Sequence, residues 1–245
     1  MQAGEWGELT GYSGRIPSGL LSVPIAHRGL HCGPDAPENS LPAFERAVNL
    51  GFPIELDVQL LCDGTVAVFH DSTLDRMTGT PGKLVDLNLK GLANLRVLGT
   101  AFCIPTLRQT LELVCGKVPL LIELKTSSAP GPLEQAVCVE LAGYSGEFAI
   151  QSFNQPTIAW FRQNQPTICR GQLSGGEHGL PGFEEALPDF IGYQFNALPN
   201  VEVSAKRDAG TPVLAWTITS QDAAEAVALY ADNIIWEGFP AFDPR

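Results

Sequence analysis

The sequence lacks several features that would assign it to a class at once. It contains no apolar run near the roughly 20 residues that a membrane-spanning helix needs. Its six cysteines form no C-x-x-C pair, so they predict buried thiols in a reducing compartment rather than disulfides or a zinc site. The first ten residues contain no basic stretch followed by an apolar one, as a secretion signal would. These absences favour a cytoplasmic protein without an integral membrane segment.

Positive charge is scarce as well. Fifteen Lys and Arg residues stand against 27 Asp and Glu residues, which gives a net charge of −12. Nucleic acids and anionic membranes would repel such a chain, so a nucleic-acid partner is not expected. An anionic ligand would have to be bound by a local cluster of cationic side chains. The hydrophobic content of 44% is that of an ordinary globular protein with a sizeable core.

What the sequence does have is a regular series of short apolar segments. Most are continuous runs, which is typical of parallel strands covered on both faces, and helical patterns lie between many of them. The alternation predicts an α/β fold, a (β/α)8 TIM barrel. A doubly wound open sheet is the alternative, but it would require a glycine-rich first turn. The predicted strands are Val23–Ala26, Pro53–Gln59, Leu120–Lys125, Phe148–Ser152, Thr167–Leu173, Phe190–Phe195, Pro212–Thr217 and Asn233–Trp236.

One region, residues 59–102, interrupts this alternation. Asp63-Gly64 lies between two alternating runs, and an Asp-Gly pair in that context is a strong hairpin signal. We therefore predict that the second strand turns there and returns, so that His70 reaches the barrel mouth. The rest of the region is predicted to be a small excursion over the C-terminal mouth, with a short helix near residues 89–95. Residues 1–245 are predicted to form a single domain with an N-terminal extension over residues 1–22.

Charged residues occupy alternate positions in two of the predicted strands. Glu55 and Asp57 are two apart in one strand, and Glu123 and Lys125 are two apart in the next. Residues two apart in a strand point to the same face, so each pair shares one side. Two acids on a buried face are costly unless a cation neutralises them. All four lie near strand ends, where barrel active sites are found.

Together with His27-Arg28, which follows the first strand, these residues suit a phosphodiester. Carboxylate ligands without cysteine favour a hard divalent cation, Mg²⁺ or Ca²⁺. That cation, Arg28 and Lys125 outweigh the three carboxylates by a small positive charge, which matches one phosphodiester. Arg28 can bind phosphate oxygens through its planar fork, and Lys125 adds a point charge. His27 and His70 can serve as acid and base.

Five other residues are of types that could belong to the site. His31 and His178 lie in predicted loops and are expected to have no catalytic role. Asp71 and Asp75 are expected to cap or turn the chain after His70. Trp216 ends the seventh strand and is expected to wall a substrate pocket, with core packing as an almost equal alternative.

In order and spacing, these motifs resemble those of the glycerophosphodiester phosphodiesterase family, part of the phosphatidylinositol-phospholipase-C-like phosphodiesterase superfamily. The resemblance covers nearly the whole chain from residue 23 onward. The matching segments include His27-Arg28-Gly29, Pro37-Glu38-Asn39-Ser40, Glu55-Leu56-Asp57-Val58, Phe69-His70-Asp71, Leu74-Asp75-Arg76, Ile122-Glu123-Leu124-Lys125, Ser152-Phe153 and Trp216-Thr217.

The resemblance implies a TIM barrel that hydrolyses a glycerophosphodiester to sn-glycerol 3-phosphate and an alcohol. Analogy with the phospholipase C relatives favours His27 as the base and His70 as the acid. Direct attack by water and attack by a glycerol hydroxyl through a cyclic phosphate both stay open. The other roles that it implies are metal ligands at Glu55, Asp57 and Glu123, phosphate contacts at Arg28 and Lys125, and a pocket lining of Phe153 and Trp216.

The chain departs from the family near its end, where members often carry Asp-Gly-Ile-Ile-Thr-Asp-Tyr-Pro. Trp236-Glu237 replaces Thr-Asp here, and a glycine is added before Phe239. We expect this change to affect substrate preference more than chemistry, and the short excursion to give an open mouth with broad headgroup tolerance. Two other interpretations are a lysophospholipase D or sphingomyelinase D type of enzyme, which needs an apolar mouth, and a non-catalytic binding barrel.

Overall fold

The computed structural model describes residues 16–126, 129–176 and 179–238. Within those ranges, eight parallel strands close into a barrel with helices between them, because β1 pairs with both β2 and β9. The predicted TIM barrel is therefore confirmed, and the open sheet is excluded. The strands are β1 (Ile25–Ala26), β2 (Ile54–Leu60), β3 (Val66–Val68), β4 (Leu120–Leu124), β5 (Phe148–Ser152), β6 (Arg170–Ser174), β7 (Phe190–Gln194), β8 (Val213–Ile218) and β9 (Asn233–Trp236).

Helices cover the outside of the barrel. Ser40 and Ser220 cap the helices that follow them by accepting hydrogen bonds from the backbone N–H of Ala43 and Ala223. The helix α9 was not predicted, because Val203 is the one buried residue it contributes and it shows no apolar stripe. The α-helices in the described part of the chain are α1 (Gly19–Ser22), α2 (Leu41–Leu50), α3 (Asp75–Thr78), α4 (Leu89–Ala93), α5 (Leu107–Val114), α6 (Pro132–Leu141), α7 (Gln155–Asn164), α8 (Phe183–Ala186), α9 (Val201–Asp208) and α10 (Gln221–Val227).

The interior of the barrel has an apolar floor and a polar mouth. The floor is a buried cluster in which Leu20 of α1 joins inward-facing residues of the strands. Since side chains alternate along a strand, the residues two positions further along each strand face the same interior but lie nearer the mouth. On several strands this second position is polar. The floor consists of Leu20, Ile25, Leu121, Ala149, Cys169, Phe190, Leu214 and Ile235.

The region after β2 forms the predicted hairpin. β3 runs antiparallel to β2, and the turn includes Gly64 in the left-handed region at φ +86°. The excursion that follows contains α3 and α4 and has an apolar cluster of its own, distinct from the main core. This cluster includes Leu74, Met77 and Leu84. The excursion is therefore a packed unit rather than a loose loop.

The cysteines agree only in part with the sequence prediction. The cysteines are free, but the expectation that they are buried is wrong for Cys32, Cys62 and Cys115, which are exposed. They lie in turns or at helix ends, where no apolar pattern forces a side chain inward. No helix in the described ranges is long and apolar enough to cross a membrane. Of the predicted extension over residues 1–22, residues 1–15 lie outside the described residues.

Candidate active site

Three carboxylates meet at the mouth of the barrel, as the strand pattern predicts. Asp57 on β2 and Glu123 on β4 are partners in the parallel register, and Glu55 lies two residues before Asp57. One oxygen from each side chain lies within 4.8 Å of the others, and all three residues are buried. Among the described residues, Oε1 of Glu55 has no hydrogen-bond partner. A buried acceptor without a donor indicates that a ligand belongs here.

The pKa values of these carboxyl groups show that the cluster has too little positive charge around it. Burial, together with the charge of Asp57, raises the pKa of Glu55 well above its ordinary value and raises that of Glu123 to about 7. Burial acts the same way on Asp57, but Lys125 and Arg28 outweigh it and lower the pKa of Asp57. Three crowded carboxylates with oxygen-only donors fit a hard divalent cation, which would neutralise them.

Two cationic side chains lie against the carboxylates. Nζ of Lys125 is 2.7 Å from Oε1 of Glu123 and 3.2 Å from Oδ1 of Asp57. Arg28 has a left-handed backbone at φ +54°, which turns its N–H toward Oε2 of Glu55 at 3.0 Å. Its Nε lies 3.3 Å from Oδ2 of Asp57. The structure thus brings together both predicted phosphate contacts and the predicted metal ligands.

Asn39 and Glu38 support this cluster and were not singled out individually by the sequence reasoning. Nδ2 of Asn39 donates to Oδ2 of Asp57 at 2.7 Å, and its Oδ1 accepts from the backbone N–H of Asp57 at 3.2 Å. Glu38 accepts from Nη1 of Arg28 at 2.7 Å. Both residues belong to a motif that carried the family resemblance, and that motif was the available signal.

His27 follows β1 and is held by Glu237, which follows β9. Nδ1 of His27 lies 2.6 Å from Oε2 of Glu237, and Nε2 of His31 lies 3.2 Å from the same oxygen. These hydrogen bonds hold the pKa of Glu237 far below its usual range, so it is a carboxylate that only accepts. Nδ1 of His27 therefore carries the proton, and Nε2, which lies 4.0 Å from Oε2 of Glu55, is the free nitrogen.

The contact with Glu237 bears on the expectation for the altered segment. The altered segment at the end of β9 was expected to bear on substrate preference more than on chemistry, yet it provides the partner of a predicted catalytic histidine. His31 lies in the same group through Glu237 and is absent from the pocket lining. His178, the other histidine predicted to be inert, lies outside the described residues.

His70 reaches the mouth on the returning segment after β3. The side chain of Gln59 fixes the backbone here, since its Nε2 donates to the carbonyls of Phe69, His70 and Asp71 at 2.8, 3.1 and 2.9 Å. Nδ1 of His70 lies 2.7 Å from Oδ1 of Asp71. Asp71 was expected to cap or turn the chain, but it is instead the partner of His70. Burial lowers the pKa of His70.

Arg76 of α3 joins the two sides of the site. Its Nε and Nη2 donate to Asp71 at 2.6 and 3.0 Å, and its two Nη atoms donate to Glu38 at 2.7 Å each. The hydrogen bonds from Arg76 lower the pKa of Asp71 to about 2. One guanidinium thus connects the carboxylate that holds His70 with the carboxylate that holds Arg28. We call Arg28, Glu38, Arg76, Asp71 and His70 the bridging network.

Two of the carboxylates, Glu55 and Glu123, line one pocket together with the two cations and the histidines His27 and His70. Its aromatic wall is formed by Phe153 and Trp216, whose rings meet edge to face with centroids 5.4 Å apart. Phe153 is half exposed at the rim. The structure therefore places Trp216 on the pocket wall rather than wholly in the core. The lining comprises His27, Arg28, Glu55, His70, Glu123, Lys125, Gln151, Phe153, Leu173, Trp216, Thr217 and Ile235.

Comparisons with known proteins agree with this geometry. The model of the Glycerophosphoryl diester phosphodiesterase family matches residues 27–235. The chain is 31% identical to YhdW of Bacillus subtilis over 233 residues, which cover 89% of this chain and 95% of that protein. It is also 31% identical over 231 residues to the glycerophosphodiester phosphodiesterase of Caldanaerobacter subterraneus, covering 88% and 94% of the two chains.

The fold is shared with solved structures of the same class. A phosphodiesterase of Oleispira antarctica, solved in complex with the product sn-glycerol-3-phosphate, superposes with a TM-score of 0.78 at 26% identity. The match covers 87% of this chain and 92% of that one.

Proposed function

The chain belongs to the glycerophosphoryl diester phosphodiesterase family and is a phosphoric diester hydrolase, and from this premise we propose that it hydrolyses glycerophosphodiesters to sn-glycerol 3-phosphate and an alcohol. One observation carries the proposal. Two histidines, each with Nδ1 held by a carboxylate, line a pocket together with two cations and the buried carboxylates of Glu55 and Glu123, which cluster with that of Asp57. The Oleispira antarctica relative, solved with sn-glycerol-3-phosphate, supports the choice of the glycerol end.

The three carboxylates are the proposed ligands of one divalent cation, Mg²⁺ or Ca²⁺. Their crowding, the raised pKa values of Glu55 and Glu123 and the unpartnered oxygen of Glu55 support this assignment. When bound, such a cation supplies positive charge against the negative charge that develops on the phosphoryl oxygens.

Arg28 and Lys125 are the proposed phosphate contacts. Both line the pocket and lie within 3.3 Å of carboxylate oxygens, so their charges already face the centre of the site. The planar guanidinium of Arg28 suits two oxygens of one phosphate, and its position is held by Glu38. Lys125, directly after β4, adds a compact positive charge.

His27 is the proposed base and His70 the proposed acid. With Nδ1 bonded to Glu237, His27 presents the lone pair of Nε2 to the pocket, where it can take a proton from the attacking oxygen. Glu237 then stabilises the imidazolium that forms. His70 gives a proton to the departing alcohol, and its lowered pKa makes its imidazolium a better donor. The same pair serves whether water or a glycerol hydroxyl attacks.

A panel of headgroups tests this proposal. The short excursion and the half-exposed Phe153 support an open mouth, so we expect comparable release of sn-glycerol 3-phosphate from glycerophosphocholine, glycerophosphoethanolamine and glycerophosphoinositol. Released product is measured with a coupled glycerol 3-phosphate dehydrogenase assay. Preferential hydrolysis of lysophosphatidylcholine would instead favour the lysophospholipase D alternative, and activity on one headgroup alone would contradict broad tolerance.

A further inference from the structure

We propose that Gln151 binds a hydroxyl group of the glycerol moiety and so makes the pocket selective for glycerol phosphates over other alkyl phosphates. The inference rests on the proposed function and deepens it. The charged groups of the site are assigned to the phosphate and the cation. A hydroxyl group of the substrate is better matched by a neutral polar side chain. A primary amide can both accept from and donate to a hydroxyl without a net charge.

The position of Gln151 follows from the strand register. On β5 it pairs with Glu123 of β4, so the two side chains share the interior face of the barrel. Gln151 is 1% exposed to solvent and lines the same pocket as the catalytic histidines. Phe153 lies two residues further along the same face, at the rim. Gln151 therefore lies deeper in the pocket than Phe153.

The amide oxygen of Gln151 is an unsatisfied hydrogen-bond acceptor. Oε1 is buried and has no hydrogen-bond partner among the described residues. A buried acceptor without a donor is unfavourable, so such a group is expected to bind a ligand or an ordered water. The hydroxyls of the glycerol end of the substrate are donors of the required kind.

A second buried glutamine, Gln172, also has an unsatisfied oxygen but lies outside the pocket lining. Gln172 on β6 is equally buried and its Oε1 also lacks a partner, but its Nε2 donates to the carbonyl of Pro181 at 2.8 Å. Gln172 is absent from the pocket lining. The assignment therefore stands on the pocket position of Gln151 together with its free oxygen, and Gln172 provides a matched control.

A glycine lies next to the amide of Gln151. A Cβ atom at Gly192 of β7 would lie 3.5 Å from Oε1 of Gln151 and 2.5 Å from Cδ2 of Leu173. A side chain at position 192 would therefore collide with Leu173. The glycine leaves room for the Leu173 side chain, which packs over it beside the amide.

Calorimetric binding of two ligands tests the proposal. The ligands are sn-glycerol 3-phosphate and 1-propyl phosphate, which carries the same phosphate but no hydroxyl, each titrated in excess Mg²⁺. We expect the wild-type protein to prefer sn-glycerol 3-phosphate. Gln151→Met should raise the Kd of sn-glycerol 3-phosphate about ten-fold, the effect of one neutral hydrogen bond, and leave that of 1-propyl phosphate within about two-fold.

The control and the second variant make the outcome decisive. Gln172→Met should leave both Kd values unchanged, whatever it does to thermal stability. If Gln151→Met fails to fold by circular dichroism, Gln151→Asn, which withdraws the amide by one methylene, should show the same selective loss.

Two results would overturn the inference: equal Kd values of the wild-type protein for the two ligands, or equal changes of both in the folded variant. A wild-type protein that releases no sn-glycerol 3-phosphate from any glycerophosphodiester would instead contradict the proposed function.

Discussion

At the scale of single residues, the site contains carboxylates that hold histidines as well as the carboxylates that we propose to hold a cation. Glu237 and Asp71 each accept from an Nδ1, which fixes the tautomer and leaves Nε2 for proton transfer. Neither contact could be derived from strand periodicity. Both carboxylates lie in segments after a strand, where alternation no longer determines the direction of a side chain.

Replacing Glu237 tests its role in holding His27. In Glu237→Gln the amide can also donate, which permits the tautomer with the proton on Nε2 and removes the charge that stabilises the imidazolium. We expect kcat to fall roughly ten- to hundred-fold, with KM little changed, because losing a residue that orients a functional group typically costs this much. Steady-state kinetics with glycerophosphocholine measure both constants.

His31 provides the control for this variant. His31→Asn removes the second partner of Glu237 but leaves the contact between Glu237 and His27 intact, so kcat should change little. Equal losses in both variants would mean that the altered segment acts only through local packing, and wild-type kcat in Glu237→Gln would contradict the role of the carboxylate.

The charged residues of the strands could be predicted as site residues from their positions in the sequence. Glu55, Asp57, Glu123 and Lys125 interrupt buried strands at alternate positions, and a buried strand admits such charges only where a site requires them. Asn39 could not be assigned in the same way, because it reaches Asp57 through a left-handed backbone at φ +53° in a loop.

At the scale of elements, the excursion after β3 contributes more than a cover for the mouth. It has its own apolar cluster, and its first helix, α3, provides Arg76 to the bridging network. Arg76 neutralises Glu38 and Asp71 together. Without it, two carboxylates would lie close together with less positive charge between them, and both His70 and Arg28 would lose a fixed partner.

We expect Arg76→Gln to lower kcat/KM by roughly ten-fold or more, since it loosens partners of two functional residues at once. The effect on the free energy of unfolding should stay below about 1 kcal/mol, because Arg76 is half exposed and surface ion pairs contribute little. Kinetics on glycerophosphocholine and urea unfolding measure the two quantities.

Arg108 is a matched control for Arg76. It forms a similar exposed pair with Glu140 on the helices outside the barrel, at 2.9 and 3.2 Å. Arg108→Gln should therefore leave kcat/KM unchanged. Wild-type kcat/KM in Arg76→Gln would show that the bridging network has no part in catalysis.

Elements with strong local signals were predicted well, and those without them were not. Continuous apolar runs predicted the barrel strands, and the Asp63-Gly64 turn predicted the hairpin. The strand β6 begins three residues later than predicted. Residues 167–169 belong to the loop before the strand, and their apolar pattern runs on into the strand without a break. The polar helix α9 had no apolar stripe to reveal it.

At the scale of the whole molecule, a chain with a net charge of −12 places two cationic side chains, Arg28 and Lys125, at one end of a barrel, where we propose that they bind the anionic substrate. Barrel closure brings β1, β2, β4 and β9 side by side, so that residues from positions 27 to 237 meet. The structure also places Glu38, Asp71 and Glu237 among these groups, which the charge balance drawn from the sequence had not included. We propose that barrel and excursion work as one domain.

The raised pKa values predict how metal and pH act together on stability. Glu123 loses its proton near its ordinary value of 4.5 in the unfolded chain but near 7 in the metal-free folded protein, and Glu55 is shifted in the same direction. The folded state therefore binds more protons across this window, and the metal-free protein loses stability as pH rises through it. Asp71, with its pKa of about 2, titrates below this window.

A cation needs the ionised carboxylates, so its stabilising effect should grow as the pH rises. We expect the increase in Tm between EDTA and excess Mg²⁺ or Ca²⁺ to be larger at about pH 8 than at about pH 5. Differential scanning calorimetry in matched buffers measures this difference. A Tm increase that does not depend on pH would place the cation elsewhere than on Glu55 and Glu123.

If the carboxylates of β2 and β4 hold a cation for phosphodiester hydrolysis, as we propose, hydrolysis requires that cation. Protein dialysed against EDTA is incubated with glycerophosphocholine, before and after Mg²⁺ or Ca²⁺ is restored, and the released sn-glycerol 3-phosphate is quantified. We predict no release after chelation, full recovery with metal, and little recovery in Glu123→Gln at the same metal concentration. Undiminished release in EDTA, or wild-type recovery in the variant, would contradict the account.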